Sequence, residues 1–227
     1  MKKITLSIIL YFFFNVNLFS HLQHYSDVKY LEYDLFRNND LIGSHKYDFV
    51  KNGDNLTVKS VVNFKITKLG IDLYKYFAES TEKYEKGVFQ SFNSSTLQNK
   101  KNKFVKINLN KEKNNLYIDG SSFKGDADIN FMVGTWWNHE IVKAKAQISA
   151  ISGRIIEQKV EFLGKKKIQI NNKTYEALHF KFLSSDEMLP DNKKLNTDIW
   201  YDAKTLIWLK AQFIKQGNWE YRLKKHN

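Results

Sequence analysis

The sequence predicts a mainly all-β protein: a strongly curved antiparallel sheet, or a partly open barrel or sandwich, with one short helix. Two observations predict it. Apolar and polar residues alternate with period two along most of the chain. Turn signals recur between those runs at short, regular intervals, the spacing of a sandwich or a barrel-like sheet.

The N-terminus reads MKKITLSIILYFFFNVNLFSHLQ. Lys2 and Lys3 precede an apolar run from Ile4 to Phe14, and Leu18-Phe19-Ser20 offers a small residue at a cut. That is the layout of a secretory signal peptide over residues 1–20. The run is shorter than the roughly 20 residues of a membrane-spanning helix. The rival reading is an uncleaved anchor, because Leu18 is large for a position near the cut. With no cysteine in the chain, a lipid anchor on cysteine, disulfides and thiol nucleophiles are excluded.

Cleavage would leave 207 of the 227 residues. That is enough for one domain burying around 70% of its unfolded surface. Residues 21–227 contain no linker-like tract, and Pro190 is the single proline. In the first strands, Arg37-Asn-Asn-Asp40 makes a turn after a run from about Val28 to Phe36. Asn52-Gly53-Asp54 then joins Leu41–Val50 to the strand Leu56–Ile66 as a hairpin. In that last strand Leu56, Val58, Ser60, Val62, Phe64 and Ile66 share one face. Further strands are predicted over 73–84, 87–96, 104–109, 116–118, 155–162, 167–170, 175–183, 197–201, 206–214 and 219–223. Between 136 and 149, Ile141, Ala144, Lys145 and Ile148 sit at helical spacing, so a short helix is expected there.

The net charge is +12, or +10 without Lys2 and Lys3. The lysines are dispersed, and the only arginines are Arg37, Arg154 and Arg222, so a solvated basic surface is expected rather than a nucleic-acid site. A lipid-facing outer-membrane barrel is disfavoured, because the off-face positions are rich in Lys, Asn and Thr. No histidine or carboxylate spacing points to a metal, and no cofactor is expected.

Phe131-Met-Val-Gly-Thr-Trp-Trp-Asn-His-Glu140 is the stretch richest in chemistry. Adjacent residues diverge in either regular structure, so His139 and Glu140 would cooperate poorly as base and partner. The favoured reading is a core plug in which Asn138 caps the following helix. Glu79 and Glu85 share one strand face and Glu82 the other, with a surface ion pair to nearby lysines expected for Glu82. If the protein were a hydrolase of glycans or esters, Glu82, Asn138 and His139 would be its set. If it binds a lipid, acyl chain or hydrophobic peptide, Trp137, Tyr76, Phe64, Trp200 and Phe180 are the expected contacts. A third expectation is an envelope partner protein paired at a sheet edge.

Several features recur in one order: Leu41-Ile-Gly-Ser-His45, Thr81-Glu-Lys-Tyr-Glu-Lys-Gly87, Phe92-Asn-Ser-Ser-Thr96, Trp136-Trp-Asn138, Ile151-Ser-Gly153, Asp198-Ile-Trp-Tyr-Asp202 and Glu220-Tyr-Arg-Leu223. Together they resemble an uncharacterised family of secreted proteins of Gram-negative envelopes, a domain of unknown function. Trp136 and Lys83 depart from that pattern. The resemblance implies a periplasmic, β-rich, lipocalin-like body and carries no activity.

Overall fold

A computed structural model describes residue 25 and residues 27–227. The leader expected over residues 1–20 lies outside the described residues. Fifteen strands form a single sheet. They are β1 (Tyr30–Arg37), β2 (Asp40–Asn52), β3 (Asn55–Lys68), β4 (Ile71–Glu85), β5 (Val88–Gln98), β6 (Lys101–Asn110), β7 (Asn115–Gly120) and β8 (Phe123–Asp128). The second half is β9 (Met132–Val133), β10 (Ala146–Ile148), β11 (Ile155–Ile170), β12 (Lys173–Ser184), β13 (Asn196–Asp202), β14 (Trp208–Ile214) and β15 (Asn218–His226).

The sheet order is β8-β7-β6-β5-β4-β3-β2-β1-β15-β14-β13-β12-β11-β10-β9. The described chain thus starts and ends at the middle of the sheet, where β1 and β15 pair, and two meanders run outward from there. All neighbours are antiparallel except β9 and β10. The outer strands β8 and β9 are not paired, so the sheet is curled but not closed into a barrel.

Bulges supply the bend, since an extra residue on one strand kinks it and increases its twist. They fall at Glu32/Tyr33, Leu35/Phe36, Ile66/Thr67, Lys83/Tyr84, Phe162/Lys165 and Trp200/Tyr201. The bulge at Phe162/Lys165, with Gly164 at φ 95°, explains why the alternation breaks there. Two strands expected over 155–162 and 167–170 are one continuous strand, β11.

The curl brings the two margins together without a ladder. The Ser122 amide donates to the Ser152 carbonyl at 2.8 Å, and Ser94 Oγ donates to the Ala150 carbonyl at 2.6 Å. Gly120 makes this approach possible: a Cβ there would stand 2.7 Å from the Ser152 oxygen and 3.0 Å from Gly153 Cα. Inside, one large cluster includes Leu31, Tyr33, Tyr47, Trp137, Tyr201 and Trp208. A smaller one, with Phe92, Ile107, Ile118, Val133 and Ile148, fills the β5–β8 end against β9 and β10.

Two local expectations change. The helix over 136–149 shrinks to a 3-10 turn, His139–Lys143, and Ala146–Ile148 is strand β10. The reason is β11: it pairs with β10, and the Gln158 side chain takes the carbonyls of Ile141 and Ala144 at 2.9 and 2.8 Å. Strand β8 was not expected, because Phe123-Lys-Gly-Asp-Ala-Asp128 is short, small and charged. A second 3-10 turn spans Asp191–Lys193. Among the described residues no helix is long and apolar enough to cross a membrane.

Gly120→Val should destabilise the fold by roughly 1–3 kcal/mol through forced overpacking of the seam. Urea unfolding against the wild-type chain measures it, and an unchanged midpoint would mean that the margins do not meet there.

Candidate functional site

The connection between β8 and β11 runs back through the curl as a strap. Thr135 and Trp136 turn it sharply, with Trp136 at φ 59°, a left-handed conformation that bulky residues rarely adopt. Contacts from distant strands hold that turn. Tyr201 OH donates to the Trp136 carbonyl at 2.9 Å, and Tyr47 OH donates to the Thr135 carbonyl at 2.5 Å. The kink sends the two tryptophans different ways: Trp137 into the large core, Trp136 to the wall of a cavity. A buried amide relay anchors Trp136, whose indole N–H donates to Gln147 Oε1 at 3.2 Å. Gln147 Nε2 in turn donates to Gln158 Oε1 at 2.5 Å.

Trp137 is fully buried, and its indole N–H donates to Glu82 Oε2 at 2.9 Å. The expected surface ion pair of Glu82 is therefore corrected: this carboxyl is 4% exposed and faces the strap. Tyr84 OH donates to its other oxygen, and Thr135 Oγ1 donates to Oε2 at 3.4 Å. Burial pushes the Glu82 carboxyl above its ordinary 4.5, and these three donors pull it back part of the way. Lys83 and Lys86, its neighbours in sequence, cannot reach it, because the pleat sends Lys83 outward and Lys86 lies in the exposed turn.

Beside the strap lies a cavity of about 350 Å³ between the N-terminal and C-terminal halves of the sheet. Tyr47, Tyr76, Trp136 and Tyr221 give it aromatic walls, and Ser60, Ser80 and Ser94 give it small polar ones. His45 Nε2 and Ser60 Oγ, both in the wall, are hydrogen-bonded at 2.7 Å. His45 is 8% exposed, and its Nδ1 has no hydrogen-bond partner among the described residues. Burial lowers the imidazole from 6.5 to about 3, so it is neutral at physiological pH. Burial raises the Tyr76 hydroxyl to about 12.

Four cations line the same cavity toward solvent: Arg154, Lys193, Lys194 and Lys215. Arg154 Nη2 donates to the Lys193 carbonyl at 3.2 Å, and Lys194 pairs with the exposed Asp191 at 3.1 Å. Among the described residues, Arg154, Lys193 and Lys215 have no carboxylate partner. One carboxylate, Glu79, also lines the cavity, so the site has aromatic walls and a mouth with net positive charge.

Of the five contacts expected for a hydrophobic ligand, Tyr76 lines this cavity. Phe64 stacks on Tyr76 at 4.8 Å from beyond the wall. Trp137 is sealed in the core. Strand alternation puts Trp200 on the face opposite Tyr201, where it stacks on His179 at 4.3 Å. Phe180 packs against Phe162 and Tyr201. Of the set Glu82, Asn138 and His139, the last two lie on the strap and Glu82 faces it, and all three are outside the cavity wall. Asn138 caps the 3-10 turn as expected, accepting from the Glu140 amide at 3.1 Å. His139 lies 2.9 Å from Glu140 through Nε2, and its amide donates to Tyr25 OH at 3.0 Å. His45, Ser60 and the mouth cations were missed. The available signal was that His45 and Ser60 share inward strand parity with Tyr47 and Val58.

Fold and cavity together define a β-barrel-like protein built on one curled, unclosed sheet. The chain belongs to the family described as domain of unknown function DUF6134, which matches residues 33–224, so the resemblance to an uncharacterised family holds. No curated protein matches the chain. Among solved structures it is similar to a β-barrel-like protein of domain of unknown function DUF1849 from Brucella abortus. The TM-score is 0.62 at 12% identity, covering 88% of this chain and 97% of that one. A Bacteroides fragilis protein with a YmcC-like fold matches at TM-score 0.39 and 9% identity, over 87% and 94% of the two chains. The first likeness shows a shared fold.

Glu82→Ala should cost roughly 2–4 kcal/mol, because it leaves a void and strands the buried indole N–H of Trp137. Glu82→Gln, which keeps an acceptor, should cost less; chemical unfolding of both variants gives the comparison. His45 sets a pH dependence of defined sign. Between pH 6.5 and about 3 the unfolded chain takes up a proton that the folded imidazole refuses. Stability therefore falls on acidification through that window, by up to about 1.4 kcal/mol per pH unit. His45→Gln should flatten that slope in unfolding curves collected at pH 7, 6 and 5.

Proposed function

We propose that this protein is a cell-envelope binding module that holds one amphipathic molecule. Its apolar body lies in the aromatic cavity and its polar end meets the cations at the mouth. The observation that carries this reading is the cavity itself: aromatic walls opening onto a mouth where Arg154, Lys193 and Lys215 outnumber the one lining carboxylate, Glu79. The space of about 350 Å³ opens between the two halves of the sheet and is lined by side chains from both. That volume is at the low end of the roughly 300–1,000 Å³ of small-molecule sites. It suits a single acyl chain or a compact ring system better than a two-chain lipid.

The basic, apolar leader of residues 1–20 supports a periplasmic location. The hydrolase reading draws no support from the cavity, since Glu82, Asn138 and His139 lie outside its wall.

Native mass spectrometry of protein recovered from the periplasm, with displacement of a solvatochromic dye by medium-chain fatty acids, tests the proposal. Ala78 is half-buried on β4 and lines the cavity, so Ala78→Trp should fill it. The expected result is at least a tenfold loss of dye and fatty-acid affinity with the unfolding midpoint largely kept. A wild-type chain that neither carries nor binds such molecules would end this reading.

A further inference from the structure

The β3–β4 hairpin ends in a turn whose composition the fold does not explain. Leu69 and Gly70 both have positive φ, 51° and 77°. Left-handed backbone at two successive turn residues favours Asn and Gly. Two other turns of this chain use Asn at both positions, Asn38-Asn39 and Asn171-Asn172, and the β4–β5 turn sets the polar Lys86 before Gly87 at 48° and 77°. At Leu69 the chain instead spends an unfavourable conformation on a leucine that is 93% exposed.

The leucine is not isolated. Ile71 and Leu73 follow it on β4, 66% and 57% exposed. Further along the outer face, Phe77 stands directly opposite Leu97 of β5, both exposed. The β5–β6 turn lies alongside, because the Asn99 amide donates to the Lys75 carbonyl at 2.8 Å. The charge around this apolar tip is positive. Lys65 and Lys75 both bridge Asp72, at 3.7 and 3.0 Å, which leaves Lys68, Lys100 and Lys101 in excess.

A protruding apolar wedge collared by lysines matches one surface chemically: apolar tails beneath an anionic headgroup layer. We infer that the β3–β4 tip docks this protein on an anionic lipid surface, with Leu69 and Ile71 entering the headgroup boundary and the lysines meeting the lipid charge. The register places the β14–β15 turn and the 149–154 turn at the same end of the sheet, so the docked face is also the one with the cavity mouth. The inference stands on the hairpin alone and does not require an occupied cavity.

Co-sedimentation of the full chain with phosphatidylcholine vesicles, with and without phosphatidylglycerol, tests it. The expected result is binding to the anionic vesicles that weakens with salt, and little binding to the neutral ones. Leu69→Asn restores favoured turn chemistry, so its thermal midpoint should hold or rise while vesicle affinity falls about tenfold. Lys68→Glu combined with Lys100→Glu should remove the preference for anionic vesicles. Ala78→Trp should bind vesicles like wild type, which separates failure of docking from failure of the cavity. Equal binding to both vesicle types, undiminished binding of Leu69→Asn, or no wild-type binding would overturn the inference. So would self-association without lipid that Leu69→Asn abolishes, since the tip would then be a contact between copies of this chain.

Discussion

A sheet that curls without joining its outer strands has to be filled by its own chain, and the Trp137–Glu82 hydrogen bond is where that filling is locked. The strap carrying Trp137 leaves the last strand of one meander and returns to the first strands of the other. It therefore contacts both halves of the sheet: Tyr47 and Glu82 on one side, Tyr201 and Gln158 on the other. Without those polar anchors an apolar strap could settle in several registers, because hydrophobic contact is not directional. The indole N–H and the carboxyl specify one. A buried carboxyl is costly unless its lone pairs are met, and three donors converge on this one.

The same strap divides the interior into two environments. Toward Trp137 the packing is close, with Tyr25 and Phe49 set edge-on to the indole at ring distances of 5.2 and 5.3 Å. Toward Trp136 the wall recedes, and the small side chains Ser60, Ala78 and Ser80 leave the space between the sheet halves open. The strained backbone at Trp136 makes this division possible, because regular strand geometry could not aim two adjacent indoles into such different surroundings. Burial keeps His45 neutral, and positive charge collects where the space reaches solvent. Polarity thus runs along one axis, from a sealed aromatic core to a cationic rim.

The fold shared with the Brucella protein at 12% identity shows how little of this architecture depends on particular side chains. What a curled meander needs is inward apolar parity, bulges at the right places and tight turns between long strands. Many sequences meet those needs. The cavity wall and the mouth charges are a separate layer, set by which small, aromatic or basic residues occupy inward and terminal positions.

Much of the fold was legible in the sequence because strand periodicity is a local property. Alternation from Leu56 to Ile66 and the turns at Asn38-Asn39 and Asn52-Gly53 each depend on a few consecutive residues, and the structure reproduces them. That Glu82 faces away from Glu79 and Glu85 was equally readable, but not that its face is the inner one. Its partners were not, since Trp137 lies 55 positions away and nothing local links the two. The same limit hid the His45–Ser60 pair in the cavity wall, the gathering of Arg154, Lys193 and Lys215, and the conversion of a helical pattern at 146–148 into a strand. By itself the sequence determined an antiparallel, mainly β chain and which residues share a strand face, because sterics and pleat act between neighbours. Only the tertiary structure decided the curl, the strap and the cavity, because these arise where bulged strands bring residues far apart in the chain against one another.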